Sequence, residues 1–173
     1  PDRRPGAAVK YRAKHVVEYG LLRAVDALVR WLPERAALGV GVGLAAFAFH
    51  VVRFRRAEAE RRIGQVFGDR YTRREISRIA ERSFRNLVLN AVEVMRMQGT
   101  NPAWVLSRLD HGGLPELVAR HAQGTGAVLV VPHMGNWDLA GVAAHQLGVP
   151  IFVLAATQRN PLVDAWLNRM RGI

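Results

Sequence analysis

Two titratable residues, His133 and Asp138, lie close together in the segment 127–141, which reads AVLVVPHMGNWDLAG. A carboxylate that accepts a hydrogen bond from one imidazole nitrogen selects the tautomer of the ring and raises the basicity of the other nitrogen. Such a pair can take a proton from a hydroxyl, which then attacks a bound acyl carbonyl. No Ser or Cys lies between the two residues, so a covalent acyl-enzyme is disfavoured. The alternative is a histidine satisfied within a turn, and the spacing alone leaves both possibilities open.

The elements around this pair predict where it lies in a fold. The apolar, Val-rich run Ala127–Val131 is typical of a strand that is buried on both faces. Asn136 is a good N-cap for a helix that begins directly after it. This arrangement places His133 at the carboxyl end of a strand, where the ligand sites of open α/β sheets lie. Gly135 and Asn136 become candidates for substrate binding, because the free N–H groups of a helix start stabilise oxyanions and hold phosphates.

The last third of the chain predicts the order β-α-β-α. The second strand is expected at Ile151–Ala155, and Asn160-Pro161 is a typical helix start. We therefore predict an α/β fold in which residues 1–100 form a helical, membrane-associating region. Residues 101–173 would form the first part of an α/β catalytic domain. Two strands do not make a stable sheet, so the domain is expected to be truncated.

The first hundred residues have the patterns of long helices. Thr72-Arg73-Arg74-Glu75 is a capping box that opens a helix to about Met97. The segment Val9–Leu32 is a basic amphipathic helix, typical of a membrane interface or of a helical bundle. Ala36–Val52 contains 17 residues without a formal charge, and arginines flank it. It is a weak span, a hairpin sunk in one leaflet or a core helix, and its marginal length favours monotopic insertion over a span.

The charge distribution restricts the partners. The net charge is +11, and residues 1–100 carry 20 basic and 10 acidic side chains, against 5 and 4 in residues 101–173. Such a surface suits anionic lipid or nucleic acid. We favour an anionic membrane and expect no nucleic acid, because the basic residues alternate with apolar faces and no aromatic platform occurs. A non-catalytic membrane-associated protein and a basic nucleic-acid-binding protein are the alternatives.

Metal and cysteine chemistry are less favoured. The chain has no Cys, which excludes disulfides, thiolate metal sites and Cys nucleophiles. A metal hydrolase would have to use His133, Asp138 and His145. The last two are not spaced as the i, i+4 ligands of a zinc helix. We therefore predict neither a metal site nor a separate cofactor.

The segment around His133 and Asp138, together with several others, resembles a known protein family. The segment LVVPHMGNWDLAG is similar to the H-x4-D/E core of the glycerolipid acyltransferase superfamily. It resembles most closely the bacterial lipid A biosynthesis (lauroyl/myristoyl) acyltransferases and the phosphatidylinositol mannoside acyltransferases. Arg82-Ser83-Phe84-Arg85-Asn86 followed by Glu93, and Gln158–Asp164, are also similar to that family. Many lipid A enzymes have Glu where this chain has Asp138. Many relatives also have a basic residue where this chain has Ala155-Ala156-Thr157.

The resemblance implies an O-acyltransferase in which His133 is the general base and Asp138 its carboxylate partner. The donor would be acyl-CoA or acyl carrier protein. The acceptor would be a hydroxyl of a glycolipid, such as a lipid A precursor or a phosphatidylinositol mannoside, or of a lysophospholipid. Arg159, Arg169 and Arg171 would be candidates to contact phosphates of the donor or the lipid, and the alternative for each is a solvated helix face. The expected location is the cytoplasmic face of the bacterial inner membrane, as a monotopic or single-span monomer. The catalytic domain is expected to continue beyond residue 173.

Overall fold

The structure, a computed structural model, describes residues 11–97, 101–110, 112–128, 130 and 134–171. Regular structure in these residues is helical. A π-helical turn (Phe47–Val51) extends α2, and a 3-10 turn (Gly68–Arg70) follows α3. The α-helices are α1 (Ala13–Trp31), α2 (Glu34–Ala46), α3 (Arg56–Phe67), α4 (Arg73–Arg96), α5 (Pro102–Leu106), α6 (Leu114–Ala122), α7 (Trp137–Gln146) and α8 (Pro161–Arg171).

The predicted α/β class is wrong, because the described residues contain no strand and no sheet. The two segments expected as strands have no regular secondary structure where they are described. Their apolar side chains are exposed rather than buried: Val130 by 88%, Phe152 by 101% and Leu154 by 104%. The physical reason is that a strand takes its backbone hydrogen bonds from a neighbouring strand, which a Val-rich composition cannot supply.

Helix α4 lies at the centre of the helical assembly and packs against α1, α2 and α3. The contact with α2 is close at Gly41, where an added Cβ would lie 3.0 Å from Cγ2 of Val92. At its carboxyl end, the Arg96 guanidinium donates to the carbonyl oxygens of Val29 and Leu32. These bonds satisfy carbonyls that the end of α1 leaves open.

Helix α8 returns to the first helices of the chain. Trp166 is buried in one core with Val29, Ala37, Val92 and Met95. The preceding residue Asn160 donates from its side-chain amide to the His15 carbonyl at 3.0 Å and to the Glu18 carboxylate at 2.9 Å. Helix α8 thus packs against α1, and its Trp166 joins the core to which α1, α2 and α4 contribute. The domain boundary predicted after residue 100 stays a prediction.

The uncharged segment predicted at Ala36–Val52 is helical. Glu34–Val51 is long and apolar enough to cross a membrane by length and composition, and 22% of it is buried inside the protein. After it, Arg53 and Arg55 have positive φ angles of 56° and 54°. This left-handed conformation is uncommon for residues other than glycine, and it ends the helix sharply.

The capping box predicted at the start of α4 is confirmed. The Thr72 hydroxyl accepts from the Glu75 N–H at 3.3 Å, and the Thr72 N–H donates to the Glu75 carboxylate at 2.8 Å. This backbone hydrogen bond, and one from the Thr72 hydroxyl, hold the pKa of Glu75 below its usual value. A lowered folded-state pKa means that the contribution of the carboxylate is present at neutral pH and is lost as the pH falls through that pKa.

We expect Thr72→Ala to lower the free energy of unfolding by about 1 kcal/mol at neutral pH, because it removes the cap of the central helix. The loss should shrink at a pH below the pKa of Glu75, because the substitution also removes the hydrogen bond from the Thr72 hydroxyl to the Glu75 carboxylate, and that bond is weaker once the carboxyl is protonated. Urea denaturation at the two pH values measures both effects. Thr72→Ser is the control and should keep the wild-type stability. An equal loss at both pH values would contradict the role of the carboxylate.

Candidate functional site

The corner before α7 has the local structure that its sequence predicts. Asn136 is the N-cap, and its side-chain oxygen accepts from the Leu139 N–H at 3.2 Å. Asp138 lies in the first turn of the helix and is half-buried. Gly135 has a φ of +61°, which L side chains rarely adopt. The tight turn therefore depends on glycine, and the acid is placed where the helix dipole favours a negative charge.

Helix α4 holds this corner from the other side. The Asn90 side-chain amide donates to the Gly135 carbonyl at 2.7 Å. In return, the Asn136 amide donates to the Glu93 carboxylate at 2.9 Å and to the Asn90 carbonyl at 3.3 Å. A hydrogen bond to a charged acceptor is among the stronger kinds in proteins. The reciprocal bonds fix the start of α7, and with it Asp138, against the central helix.

His133 lies outside the described residues, so its expected pairing with Asp138 stays a prediction. The predicted substrate-binding roles of Gly135 and Asn136 stay predictions too. In the structure, both residues help to hold the start of α7 against α4. The Gly135 carbonyl and the Asn136 side chain are both engaged with α4.

An apolar pocket of about 180 Å³ lies between α4, the start of α7 and α8. Asp138 is among its lining residues and is the carboxylate nearest to the predicted base in sequence. A cavity of about 150 Å³ with apolar walls can hold a benzene-sized ligand, so this pocket has room for a short length of hydrocarbon chain. The lining residues are Leu87, Asn90, Ala91, Val94, Met95, Asn136, Trp137, Asp138, Trp166, Leu167 and Met170.

The arginines predicted to bind phosphate are not brought into this pocket. Arg159 and Arg169 are exposed, and the described lining includes neither of them. Arg171 is the last residue of α8, and its side chain lies outside the described part. His145, the third ligand of the metal hydrolase alternative, is exposed on α7. In the described ranges, no group of three His, Asp or Glu residues could hold a metal ion.

The contacts of α4 with the start of α7 were not predicted from the sequence. Asn90 and Glu93 lie one turn apart within the run LVLNAVEVM, where polar residues interrupt an apolar stripe. That interruption was the available signal, since a polar residue on a buried face needs a partner. The partner itself could not be read from the pattern, because Gly135 and Asn136 are more than 40 residues away.

The bridge between Asn136 and Glu93 predicts an unusual response to a conservative substitution. Asn136→Ala should lower the free energy of unfolding by about 1–2 kcal/mol, because a cap and a hydrogen bond to a charged group are lost. Asn136→Asp keeps the cap acceptor but places two carboxylates together, so it should destabilise by a similar amount. Adding Glu93→Gln to Asn136→Asp should restore most of the stability. Urea denaturation of the three variants measures this, and a wild-type-like Asn136→Asp would exclude the bridge.

Comparison with known proteins identifies relatives of this chain. The sequence model of the family described as “Bacterial lipid A biosynthesis acyltransferase” matches residues 8–172. Two relatives are phosphatidylinositol mannoside acyltransferases of Mycobacterium tuberculosis, from strains CDC 1551 / Oshkosh and ATCC 25618 / H37Rv. Each is 48% identical over 52 residues, a stretch that covers 29% of this chain and 16% of the relative. No solved structure matches this chain.

Proposed function

This chain belongs to the bacterial lipid A biosynthesis acyltransferase family, and on that premise we propose that it carries the acyl-transfer site of a membrane-associated O-acyltransferase. The reaction moves a fatty acyl chain from an acyl thioester to a hydroxyl of a glycolipid or lysophospholipid. The donor is acyl-CoA or acyl carrier protein. The observation that carries this proposal is the apolar pocket whose walls include Asp138, the acid of the predicted base–acid pair.

In the proposed chemistry, His133 takes the proton from the acceptor hydroxyl, whose oxygen attacks the thioester carbonyl. The tetrahedral intermediate then collapses, an ester bond forms, and the thiol leaves with the proton that His133 returns. Asp138 orients the imidazole and stabilises its protonated form. The N–H groups at the start of α7 are suited to the developing oxyanion. The bonds from α4 to Gly135 and Asn136 support this role, because they hold the turn in place.

The pocket suits the acyl chain better than the polar acceptor. Most of its lining residues are apolar, with Trp166, Leu167 and Met170 from α8 and Leu87, Ala91 and Val94 from α4. Burying each methylene of a chain in such surroundings is worth about 0.8 kcal/mol. A few methylenes near Asp138 would therefore hold the thioester end of the chain close to the proposed base.

A membrane seat would bring the acceptor lipid to this site. The helix Glu34–Val51 exposes large apolar side chains, among them Val42, Leu44 and Phe47. Helix α1 adds Leu21 and Trp31, which is 82% exposed. We place these surfaces in the interface of the cytoplasmic leaflet of the inner membrane, as a monotopic attachment of a monomer.

The direct test is acyl transfer by the purified protein in phospholipid vesicles that contain a glycolipid acceptor. Radiolabelled acyl-CoA and acyl carrier protein are supplied separately as donors. We expect label in the lipid fraction as an alkali-labile ester with one of the two donors. Label only in free fatty acid would indicate a thioesterase. Vesicle binding without transfer from either donor would favour a non-catalytic membrane protein.

A further inference from the structure

A second depression, of about 230 Å³, lies on the amino-terminal half of α4 and is lined by Arg78, Glu81, Arg82 and Arg85. The three arginines are spaced i, i+4 and i+7, so they share one face of the helix. By the helical period, this face lies roughly opposite the one that carries Leu87, Ala91 and Val94 into the apolar pocket. We refer to these three arginines as the arginine ridge. It is separate from the proposed acyl-transfer site.

The guanidinium groups of the ridge form no close ion pair among the described residues, although Arg78 is near enough to Glu75 to help lower the pKa of that carboxyl. On the neighbouring helix α3, Arg56 pairs with Glu60 at 2.9 Å, and Arg61 pairs with Glu58 at 2.8 Å. By contrast, no described carboxylate lies within 4.0 Å of a ridge guanidinium. Glu81 lines the same depression, but its carboxylate lies 3.0 Å from His50 Nε2.

Helix stability accounts for the ridge only in part. Arg78 and Arg85 lie three or four residues from Glu81, at spacings that favour opposite charges, but Arg82 has no carboxylate at such a spacing. Like charges at i, i+4, such as Arg78 and Arg82, destabilise a helix by about 0.2–0.5 kcal/mol per pair. All three side chains are exposed, so they contribute no buried packing either. Three exposed arginines around a depression suit a ligand with several anionic oxygens, because each planar guanidinium can donate two parallel hydrogen bonds to a phosphate.

The position of the ridge indicates where such a ligand comes from. Glu81, which lines the depression, lies 3.0 Å from Nε2 of His50 at the end of the apolar segment. In the same part of α4, Phe84 contacts the rings of Phe49 and Phe54 with centroid distances of 6.1 and 6.4 Å. These rings lie at the end of the apolar segment, beside Val51 and Val52, which are both exposed. Exposed apolar side chains next to arginines match the boundary of a bilayer, where acyl chains meet phosphates.

We propose that the arginine ridge binds the phosphate group of an anionic membrane lipid. The apolar side chains at the end of the π-helical turn would enter the acyl region, and the three guanidinium groups would lie at the level of the phosphates. The Glu81 carboxylate repels an anion, but three arginines line the same depression, and the carboxylate contacts His50. This inference does not depend on acyl transfer, because none of its residues lines the apolar pocket.

The test is co-sedimentation of the full chain with phosphatidylcholine vesicles that contain or lack phosphatidylglycerol. The ridge variant is Arg78→Gln/Arg82→Gln/Arg85→Gln. The matched control, Arg61→Gln/Arg62→Gln/Arg70→Gln, removes the same charge from exposed positions outside the depression. We expect the ridge variant to lose phosphatidylglycerol-dependent binding by roughly 10- to 100-fold and the control by less than about 3-fold. Equal losses would overturn the proposal, since they would indicate a general charge effect.

Two further arms identify the source of the phosphate and exclude misfolding. Arg82→Lys keeps the charge and the fold but loses the paired hydrogen bonds, so an intermediate loss supports the site. Inorganic phosphate, titrated without vesicles and followed by 31P NMR, should bind far more weakly than lipid. Ridge-dependent binding of inorganic phosphate with no dependence on phosphatidylglycerol would overturn the lipid assignment. Ridge-dependent retention of RNA, with vesicle binding unchanged, would overturn it as well.

Discussion

Replacement of His133 by Ala should lower kcat for acyl transfer by about 10²- to 10⁴-fold, the range that a general base contributes. The proposed acceptor is an ordinary hydroxyl, which is a weak nucleophile while it keeps its proton. No Ser or Cys in the turn could replace the base by a covalent route. Initial rates with a saturating thioester and a glycolipid acceptor measure the loss.

Asp138→Asn tests the second member of the pair. The amide keeps the size of the side chain but removes the charge that would stabilise the imidazolium, so kcat should fall by roughly 10²-fold or more. His145→Ala is the matched control, because His145 is exposed on the same helix and does not line the pocket.

Wild-type turnover by His133→Ala would remove His133 as the base. A loss in His145→Ala that added zinc relieves would instead favour metal-dependent hydrolysis.

Filling the apolar pocket should make activity depend on the length of the acyl chain. Ala91 lies on α4 and lines the pocket. Ala91→Trp would occupy the volume of several methylenes, and three displaced methylenes at about 0.8 kcal/mol each correspond to roughly 60-fold in kcat/KM. The loss is expected for long-chain thioesters. For the thioester with the shortest chain that the protein accepts, kcat/KM should change by less than about 3-fold.

The matched control for this substitution is Ala165→Trp on α8. Ala165 is also exposed and helical, but it does not line the pocket. The Ala165→Trp substitution should leave kcat/KM unchanged for every chain length. If Ala91→Trp lowers activity equally for short and long donors, the pocket does not hold the acyl chain. Urea denaturation of both variants separates this outcome from a loss of folded protein.

The features that the sequence predicted correctly depend on neighbours within one helical turn. The capping box of Thr72 and Glu75, the N-cap Asn136 and the helix start at Asn160-Pro161 are all observed. In each case the side chain and the N–H that it accepts belong to residues two or three apart in the chain. The family was predictable for a related reason, because the signature around His133 and Asp138 is contiguous.

The features that only the tertiary structure decided depend on residues far apart in the chain. The strand prediction was wrong because an apolar run can form a buried strand only when a neighbouring strand supplies its hydrogen bonds and other elements pack over its side chains. The sequence of the run itself provides neither. The contacts of Asn90 and Glu93 with the start of α7 span 43 to 46 residues. Trp166 likewise joins a core with Val29. The sequence by itself therefore determined the helix starts and the residues proposed for chemistry. Long-range packing decided that α4 holds Asp138 in place, because only the folded chain brings a polar side chain and its distant partner together.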